Sequence, residues 1–372
     1  MLYIIEILVT FVVGCLLSAM IIPRISFVAY RRRLFDVPNE RKIHTAHIPR
    51  LGGVAFFPCI TVAVSLTISC HNLCIGSSLL TMELITRFLV LFSCLFILYL
   101  MGVMDDLVGI RYRSKFAIQT LCGLLLVLSG FYFDNLYGLF GIHEIPRYIG
   151  MPFTVFIIVY ILNAVNLIDG IDGLASGLSM IAFFSFGCLF VCLHWWMYAL
   201  ISFAALGVLI PFFYYNVFGQ IHRGRKVFMG DTGSLTIGMM LAAMAIALSK
   251  SDSVKDSLFP GSIVIAFSFL MVPMLDVVRV VLHRLRNRKP PFAPDKNHIH
   301  HKFIALGMSQ RHALSCIVGI AIVFTVLNVW AIHYLSVTTL FLLDVAVWTV
   351  MNLRITAQIR KINASTRKAG EI

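Results

Sequence analysis

Apolar residues along this chain run in long unbroken blocks, not in alternating stripes. The blocks fall at about 2–22, 52–69, 85–104, 116–133, 151–168, 174–193, 197–215, 234–249, 262–282, 313–333 and 336–353. Blocks near ~20 residues long can cross a ~30 Å hydrocarbon layer as helices. Short alternating segments of the kind that build outer-membrane barrels are absent. The pattern therefore predicts an all-α polytopic membrane protein with about eleven transmembrane helices. No interval is left for a separate soluble domain. Residues 1–372 read as one integral membrane unit, with a core over 1–335 and a last span and basic tail over 336–372.

An odd number of spans places the termini on opposite sides, and the basic residues decide which. One set of loops carries Arg31 to Arg33, Arg41, Lys42, Arg50, Arg111, Arg113, Lys115, Arg223, Arg225 and Lys226. The run from His283 to Arg311 and the tail with Arg360, Lys361, Arg367 and Lys368 fall on the same side. The opposite set offers Arg87, Arg147, Lys250 and Lys255. The basic side reads as cytoplasmic, with the N-terminus outside and the C-terminus inside. Arg31 to Arg33 follow the first span, which has no small-residue cleavage site, so that span is expected to be retained.

Composition agrees with a lipid solvent. The chain is 59% hydrophobic and 13% charged, whereas soluble domains carry about 25% charged residues. Its formal charge of +13 follows mostly from topology, with some attraction for anionic lipid heads. These cations lie against the membrane without interleaved exposed aromatics, so no nucleic-acid partner is expected. Most of the nine cysteines sit in apolar spans, where they act as small hydrophobes. Cys70 and Cys74 near an outer loop leave pairing open, and no zinc-type spacing appears.

Carboxylates gather at one face. Asp105, Asp106, Asp169, Asp172, Asp231, Asp276 and Asp295 fall at cytoplasmic edges, with Asp36 and Glu40 in the first loop. Within "NAVNLIDGIDGL", Asn163, Asn166, Asp169 and Asp172 recur every three residues beside Gly170 and Gly173. On a helix this spacing lines one wall with amides that read a base or sugar edge and carboxylates that take hydroxyls or a metal. Helix capping at the glycine turn is the alternative for Asp172. "GVMDDLVGIRYRSK" brings Asp105 and Asp106 to a span mouth beside Arg111, Arg113 and Lys115. "KVFMGDTGSLTIG" places Asp231 in a glycine turn before an apolar helix, whose start is expected to offer free N–H groups to an anion. Asp231 there suits Mg²⁺, which takes one or two carboxylates plus substrate phosphates. Phe228 either stacks on a planar base or anchors the chain at the interface.

In "PPFAPDKNHIHHKF", His298, His300 and His301 lie among Lys289, Lys296 and Lys302. Phosphate recognition, a transition metal and plain loop chemistry all remain open, with no HExxH helix or cysteine partner to favour a metal. "FDVPNERKIHTAHIPRLGG" adds Lys42, His44, His47 and Arg50 as a phosphate-facing or simply solvated loop. Walker, kinase and serine-elbow signatures are absent. A transporter would want paired halves with polar groups near the midplane, and no internal repeat is visible. The set fits phosphoryl transfer from a water-soluble nucleotide to a lipid-borne acceptor, where positioning and charge neutralisation dominate.

The ordered motifs DD, NxxNxxDGxDG, FMGDTGS and PDKxHxHH resemble the polyprenyl-phosphate N-acetylhexosamine-1-phosphate transferase superfamily over about residues 1–335. "DVPNERKIH…PRLGG" and "APDKNHIHH" look most like the bacterial undecaprenyl-phosphate N-acetylglucosaminyl-1-phosphate transferases. The resemblance implies transfer from UDP-N-acetylglucosamine to undecaprenyl phosphate with release of UMP and with Mg²⁺ or Mn²⁺ as cofactor. It implies a first membrane step of a cell-surface polysaccharide pathway, on the cytoplasmic face of the bacterial inner membrane. Another UDP-N-acetylhexosamine, or phospho-N-acetylmuramoyl-pentapeptide, is the alternative donor, and oligomeric state is open, a homodimer included. By the resemblance Asp231 is the metal-binding aspartate, and Asp105 and Asp106 are the essential pair. Asn166, Asp169 and Asp172 form the nucleotide wall, Phe228 stacks on uracil, and His298, His300 and His301 are the histidine motif. Asn166 joins Asp105, Asp106 and Asp231 as a candidate metal ligand. Asn163, Asn216, Lys42, Arg50 and Lys115 complete the expected substrate contacts.

Two further expectations concern the lipid. A phosphate monoester has a second pKa near ~6, so the acceptor is largely a dianion at neutral pH and needs little general base. Asp105 and Asp106 are therefore expected mainly to orient metal and acceptor. Pro273 interrupts the ninth block just before Asp276 and Arg279, so Met274 to Leu285 is expected to swing out as a groove for the prenyl chain.

Overall fold

The computed structural model describes residues 1–32, 34, 48–75, 81–221, 224–250, 262–290 and 297–370, with side chains through 365. Every apolar block is helical. In chain order the helices are α1 (Leu2–Arg31), α2 (Phe56–Ile75), α3 (Met82–Val108), α4 (Tyr112–Leu128), α5 (Arg147–Ile168), α6 (Leu174–Cys192) and α7 (Trp196–Phe218). They continue as α8 (Gly230–Leu248), α9 (Ser262–Ser268), α10 (Met271–Arg286), α11 (Ile299–Ala305), α12 (Gln310–Ala331) and α13 (Val337–Gly370). Among the described residues nine helical stretches are long and apolar enough to cross a membrane, and α9 with α10 makes a tenth. The remaining expected span, α4, has 17 residues, which at ~1.5 Å each is about 26 Å and slightly short of the hydrocarbon thickness.

α8 is the axis of the bundle. Every residue from Thr232 to Leu248 is buried, and α3, α5 and α9 pack around it. Its alanines, glycines and serine let neighbours approach closely, which is how helices pack when lipid supplies no hydrophobic drive. α1 lies against α7 in the same way: Ser18 donates to the Val208 carbonyl at 2.8 Å across an interface lined by Gly14 and Gly207.

α9 and α10 meet at a bend of 79°. The break falls at Phe269 and Leu270, and Pro273 occupies the first turn of α10. There its missing N–H costs nothing, so proline starts the second segment instead of kinking a continuous one. A small antiparallel hairpin, β1 (Asn135–Leu139) with β2 (Ile142–Glu144), lies between α4 and α5, the one sheet among the described residues. It docks on α13, with Phe140 against Phe341 at 5.7 Å. Its strands of five and three residues are too short to stand out from a loop in the hydropathy pattern.

Candidate active site

Three of the four polar stretches meet at the N-terminal end of α8, and the histidine loop joins them at Gly170. α3 delivers Asp105 and Asp106, the start of α4 delivers Lys115, the end of α5 delivers Asn166, and α8 begins with Asp231 in its first turn. Asp231 is the hub. The Asn166 amide donates to Asp231 Oδ1 at 3.1 Å and to Ser234 Oγ at 2.8 Å. The Lys115 ammonium donates both to Asp231 Oδ2 and to Asp105 Oδ2. Two carboxylates from separate helices thus face one cationic position. Asp105 keeps its other oxygen on the Ile110 N–H.

Asp106 plays a different part. Its Oδ1 accepts from the Asp231 N–H at 2.8 Å, and its Oδ2 accepts from the Thr232 N–H at 3.0 Å and the Thr232 hydroxyl at 2.6 Å. An anion supplied by α3 therefore caps α8 at its positive end. This corrects the expectation of free N–H groups there: the Asp231 and Thr232 amides are already taken. The close approach also explains Gly230, which sits at φ +71°. A Cβ there would come within 2.5 Å of Asp106 Oδ2 and 2.1 Å of the Arg50 carbonyl oxygen.

The second wall is the turn between α5 and α6. Lys226 donates to Asp172 at 2.5 Å, so Asp172 pairs with a cation and does not cap α6. Asn216 is buried and accepts from the Gly173 N–H at 2.6 Å while donating to the Val227 carbonyl at 2.8 Å. Both ends of its amide hold backbone, which ties this turn to the segment leading into α8. Asp169 stays open to solvent at the mouth. The protein around it, then the Asp172 and Asp231 carboxylates, raise its carboxyl above the ordinary carboxylate range, with Arg50 opposing. For a group so open to water, the carboxylate repulsion is the cause that matters. The mouth is acidic enough to favour an added cation.

The histidine loop closes the third side. Asp276, fully buried on α10, accepts from the His298 ring at 2.9 Å, from the Ile299 N–H at 3.1 Å and from Arg279 at 2.6 Å. His300 lies against Gly170, where a Cβ would fall 2.2 Å from its Nε2. His300 is 2% exposed, and neither ring nitrogen has a hydrogen-bond partner among the described residues. Burial, then the neighbouring His301 and His298, lowers its pKa to about 3, so it is a neutral imidazole. Buried unsatisfied groups are rare and call for a reason, and a ligand-facing role is one. The His301 ring packs beside it at 4.2 Å.

Other expected residues sit further out. Asn163 donates to Gln119 at 2.7 Å and to the Val159 carbonyl at 2.7 Å, joining α5 to α4 below the cluster. Phe228 is half-buried, and its backbone is held by Pro49 at 2.9 Å and Gly52 at 3.0 Å, which brings Arg50 to the site. Lys42 lies outside the described residues, as do His44, His47 and Lys296. Asp276, Arg279, Thr232, Ser234 and Lys226 were not singled out for roles by the sequence. The available signal was polar side chains at the ends of apolar blocks, three residues apart in Asp276 and Arg279.

Among the described residues no group of three or more His, Cys, Asp or Glu converges as a ready-made metal cage. Asp231 and Asp105 could instead supply the sparse carboxylate set that Mg²⁺ takes when phosphates complete its shell, and Asn166, whose NH₂ faces Asp231, could add its amide oxygen once the amide is turned over. The Lys115 ammonium between the carboxylates shows that they already share a cationic position.

These features define a helical membrane protein with an acidic, amide and imidazole cluster at the end of a buried helix. Glycosyl transferase family 4 matches residues 88–249, from α3 through α8. A Bacillus subtilis (strain 168) protein, "Probable undecaprenyl-phosphate N-acetylglucosaminyl 1-phosphate transferase", is 32% identical over 87% of this chain and 84% of its own length. The Yersinia pestis undecaprenyl-phosphate alpha-N-acetylglucosaminyl 1-phosphate transferase is 32% identical over 81% of this chain and 78% of its own. The Mycobacterium tuberculosis (strain H37Rv) decaprenyl-phosphate N-acetylglucosaminephosphotransferase is 32% identical over 79% and 73%. The chain belongs to this family of membrane sugar-phosphate transferases.

Proposed function

We propose that the protein transfers N-acetylglucosamine 1-phosphate from UDP-N-acetylglucosamine to undecaprenyl phosphate and releases UMP. A lipid phosphate oxygen attacks the sugar-bearing phosphorus, and the bond from that phosphorus to the UMP oxygen breaks. The observation that carries this reading is the meeting of Asp105, Lys115, Asn166 and Asp231. Decaprenyl and undecaprenyl acceptors both occur among the relatives' names, so prenyl length is the least constrained part of the reading.

Asp231, Asp105 and Asn166 would hold Mg²⁺ or Mn²⁺, which supplies charge neutralisation at the diphosphate when bound. Lys115 balances the two carboxylates and can move its ammonium to a phosphate oxygen. Asp106 fixes the orientation of Asp231 by capping α8. Asp169 and Asp172 offer acceptors to the nucleotide, Phe228 a ring face, and Arg50 a counter-charge. His300, held neutral, donates one N–H and accepts at the other nitrogen, which suits a phosphate or sugar hydroxyl but not ionic pairing. We place the site on the cytoplasmic face of the bacterial inner membrane, with the N-terminus outside. The bend before α10, and the exposed Val278, Leu282 and Leu285 on that helix, support a prenyl groove along it.

Membranes containing the protein, given radiolabelled UDP-N-acetylglucosamine and Mg²⁺, should form chloroform-soluble label and free UMP in equal amounts. A panel of UDP-sugars then fixes the donor. Label that crosses vesicles unchanged would point to transport instead.

A further inference from the structure

The end of the bundle opposite Asp231 holds a second cavity of about 440 Å³. α8 runs 19 residues between the two, about 28 Å at ~1.5 Å per residue, so this cavity is no part of the site described above. Its lining includes Tyr3 from α1, Arg87 from α3, Phe131 after α4, Trp196 and Tyr198 from α7, and Lys250 beyond α8. Tyr3 stacks on Trp196 at 4.7 Å and 16°, and Phe131 meets Tyr198 edge-on at 6.5 Å.

Aromatics and cations at helix ends often form no more than an interfacial belt, with the cations extended into water. Arg87 does not fit that description. Its side chain is 14% exposed, its guanidinium lies 6.0 Å from the Phe131 ring centre, and its Nε is buried without a hydrogen-bond partner among the described residues. Its Nη2 is held by Glu83, whose own side chain is 70% exposed. Lys250 places its ammonium 5.8 Å from the Tyr132 ring centre beside the same cavity. Among the described residues, Arg87 and Lys250 in the lining meet one carboxylate, the exposed Glu83, which leaves a positive wall with a buried donor unused. Leaving such a donor unpaired is costly, and an acceptor on a ligand removes the cost.

We propose that this cavity binds the phosphate group of an anionic amphiphile, with Arg87 and Lys250 on the phosphate and the aromatic walls on its apolar part. An arginine fork paired with a lysine matches phosphate oxygens. The aromatic lining and the position at the helix ends favour a lipid headgroup over a free anion.

Trp195 and Trp196 line the cavity, whereas Trp330 and Trp348 lie on α12 and α13. Full-length protein carrying Trp330→Phe and Trp348→Phe, in vesicles of phosphatidylcholine with either brominated phosphatidylglycerol or brominated phosphatidylcholine added, reports occupancy by fluorescence quenching. The proposal predicts saturable quenching with about fivefold preference for the anionic lipid, the effect of one net cation near a headgroup. Arg87→Gln with Lys250→Gln should bring the preference to parity while transferase activity is kept. Lys250→Gln alone, which breaks no ion pair among the described residues, should lower the preference in the same direction if the double variant fails to fold. Inorganic phosphate that relieves the anionic preference would assign the site to free phosphate, and a preference that survives it assigns a lipid. Equal quenching by both lipids in the parent protein, or a preference that survives both substitutions, overturns the proposal.

Discussion

Asp106→Asn is the substitution that best separates the two aspartates of the adjacent pair. Asp106 accepts three hydrogen bonds from the first turn of α8. An asparagine amide keeps the acceptor for the Asp231 N–H but turns an NH₂ group toward Thr232. The Thr232 hydroxyl can rotate to accept from it, whereas the Thr232 N–H cannot, and Thr232 is fully buried. Stranding that donor costs about 1–3 kcal/mol, and loss of the anion at the helix start adds about 0.5–1 kcal/mol. If about 2–4 kcal/mol appears as misplacement of Asp231, the rate falls by roughly 30- to 1000-fold. The assay is transferase activity titrated with Mg²⁺. Asp106→Asn should lower the maximal rate and the melting temperature with its half-saturating Mg²⁺ nearly unchanged, whereas Asp231→Asn should raise the Mg²⁺ requirement sharply. A Mg²⁺ shift in Asp106→Asn as large as that of Asp231→Asn would refute the capping role.

Three further outcomes follow from the same geometry. Asp276→Asn leaves Arg279 without its buried partner and loosens the histidine loop; loss of one member of a buried pair costs about 3–5 kcal/mol, to be read as a lower melting temperature and faster amide exchange over 297–305. Gly170→Ala forces its methyl into the His300 ring, and overpacking of about 1–3 kcal/mol should cut activity about 5- to 150-fold, with unaltered activity refuting the contact. His300 stays neutral in the folded state down to about pH 3 but protonates near ~6.5 when unfolded. Its stabilising balance is therefore complete above ~6.5 and is lost as pH falls toward 3, by about 1.4 kcal/mol at pH 5.5. Wild type should lose that much more stability than His300→Gln between pH 7.5 and 5.5, and equal losses would contradict the buried neutral state.

Much of this was legible in the chain because lipid leaves so few ways to hide a polar group. Long apolar blocks gave the helices, and polar side chains at their ends gave the gathering of Asp105, Asn166 and Asp231. Hydropathy alone did not tell the break at Phe269 and Leu270 from a kink at Pro273, since both sit in one apolar run. Nor does a motif say where a side chain points. Asp105 and Asp106 adjoin in sequence, yet the helix turns them about 100° apart, one toward a shared cation and the other toward the α8 backbone. Asn163 and Asn166 repeat at three residues, but one joins α4 and the other joins Asp231. Asp276 was visible only as one of the carboxylates at cytoplasmic edges, because its partners at 298 and 299 come from a distant loop.

The proposed function rests on Asp231 and Asp105 holding a divalent cation against the nucleotide diphosphate. Pulsed electron–nuclear double resonance of Mn²⁺-loaded protein with UDP-N-acetylglucosamine tests it most directly. Phosphorus couplings on the bound Mn²⁺ should appear in the wild type, disappear in Asp231→Asn and weaken in Asp105→Asn. Bound Mn²⁺ that shows no phosphorus coupling, or couplings that persist unchanged without Asp231, would contradict it.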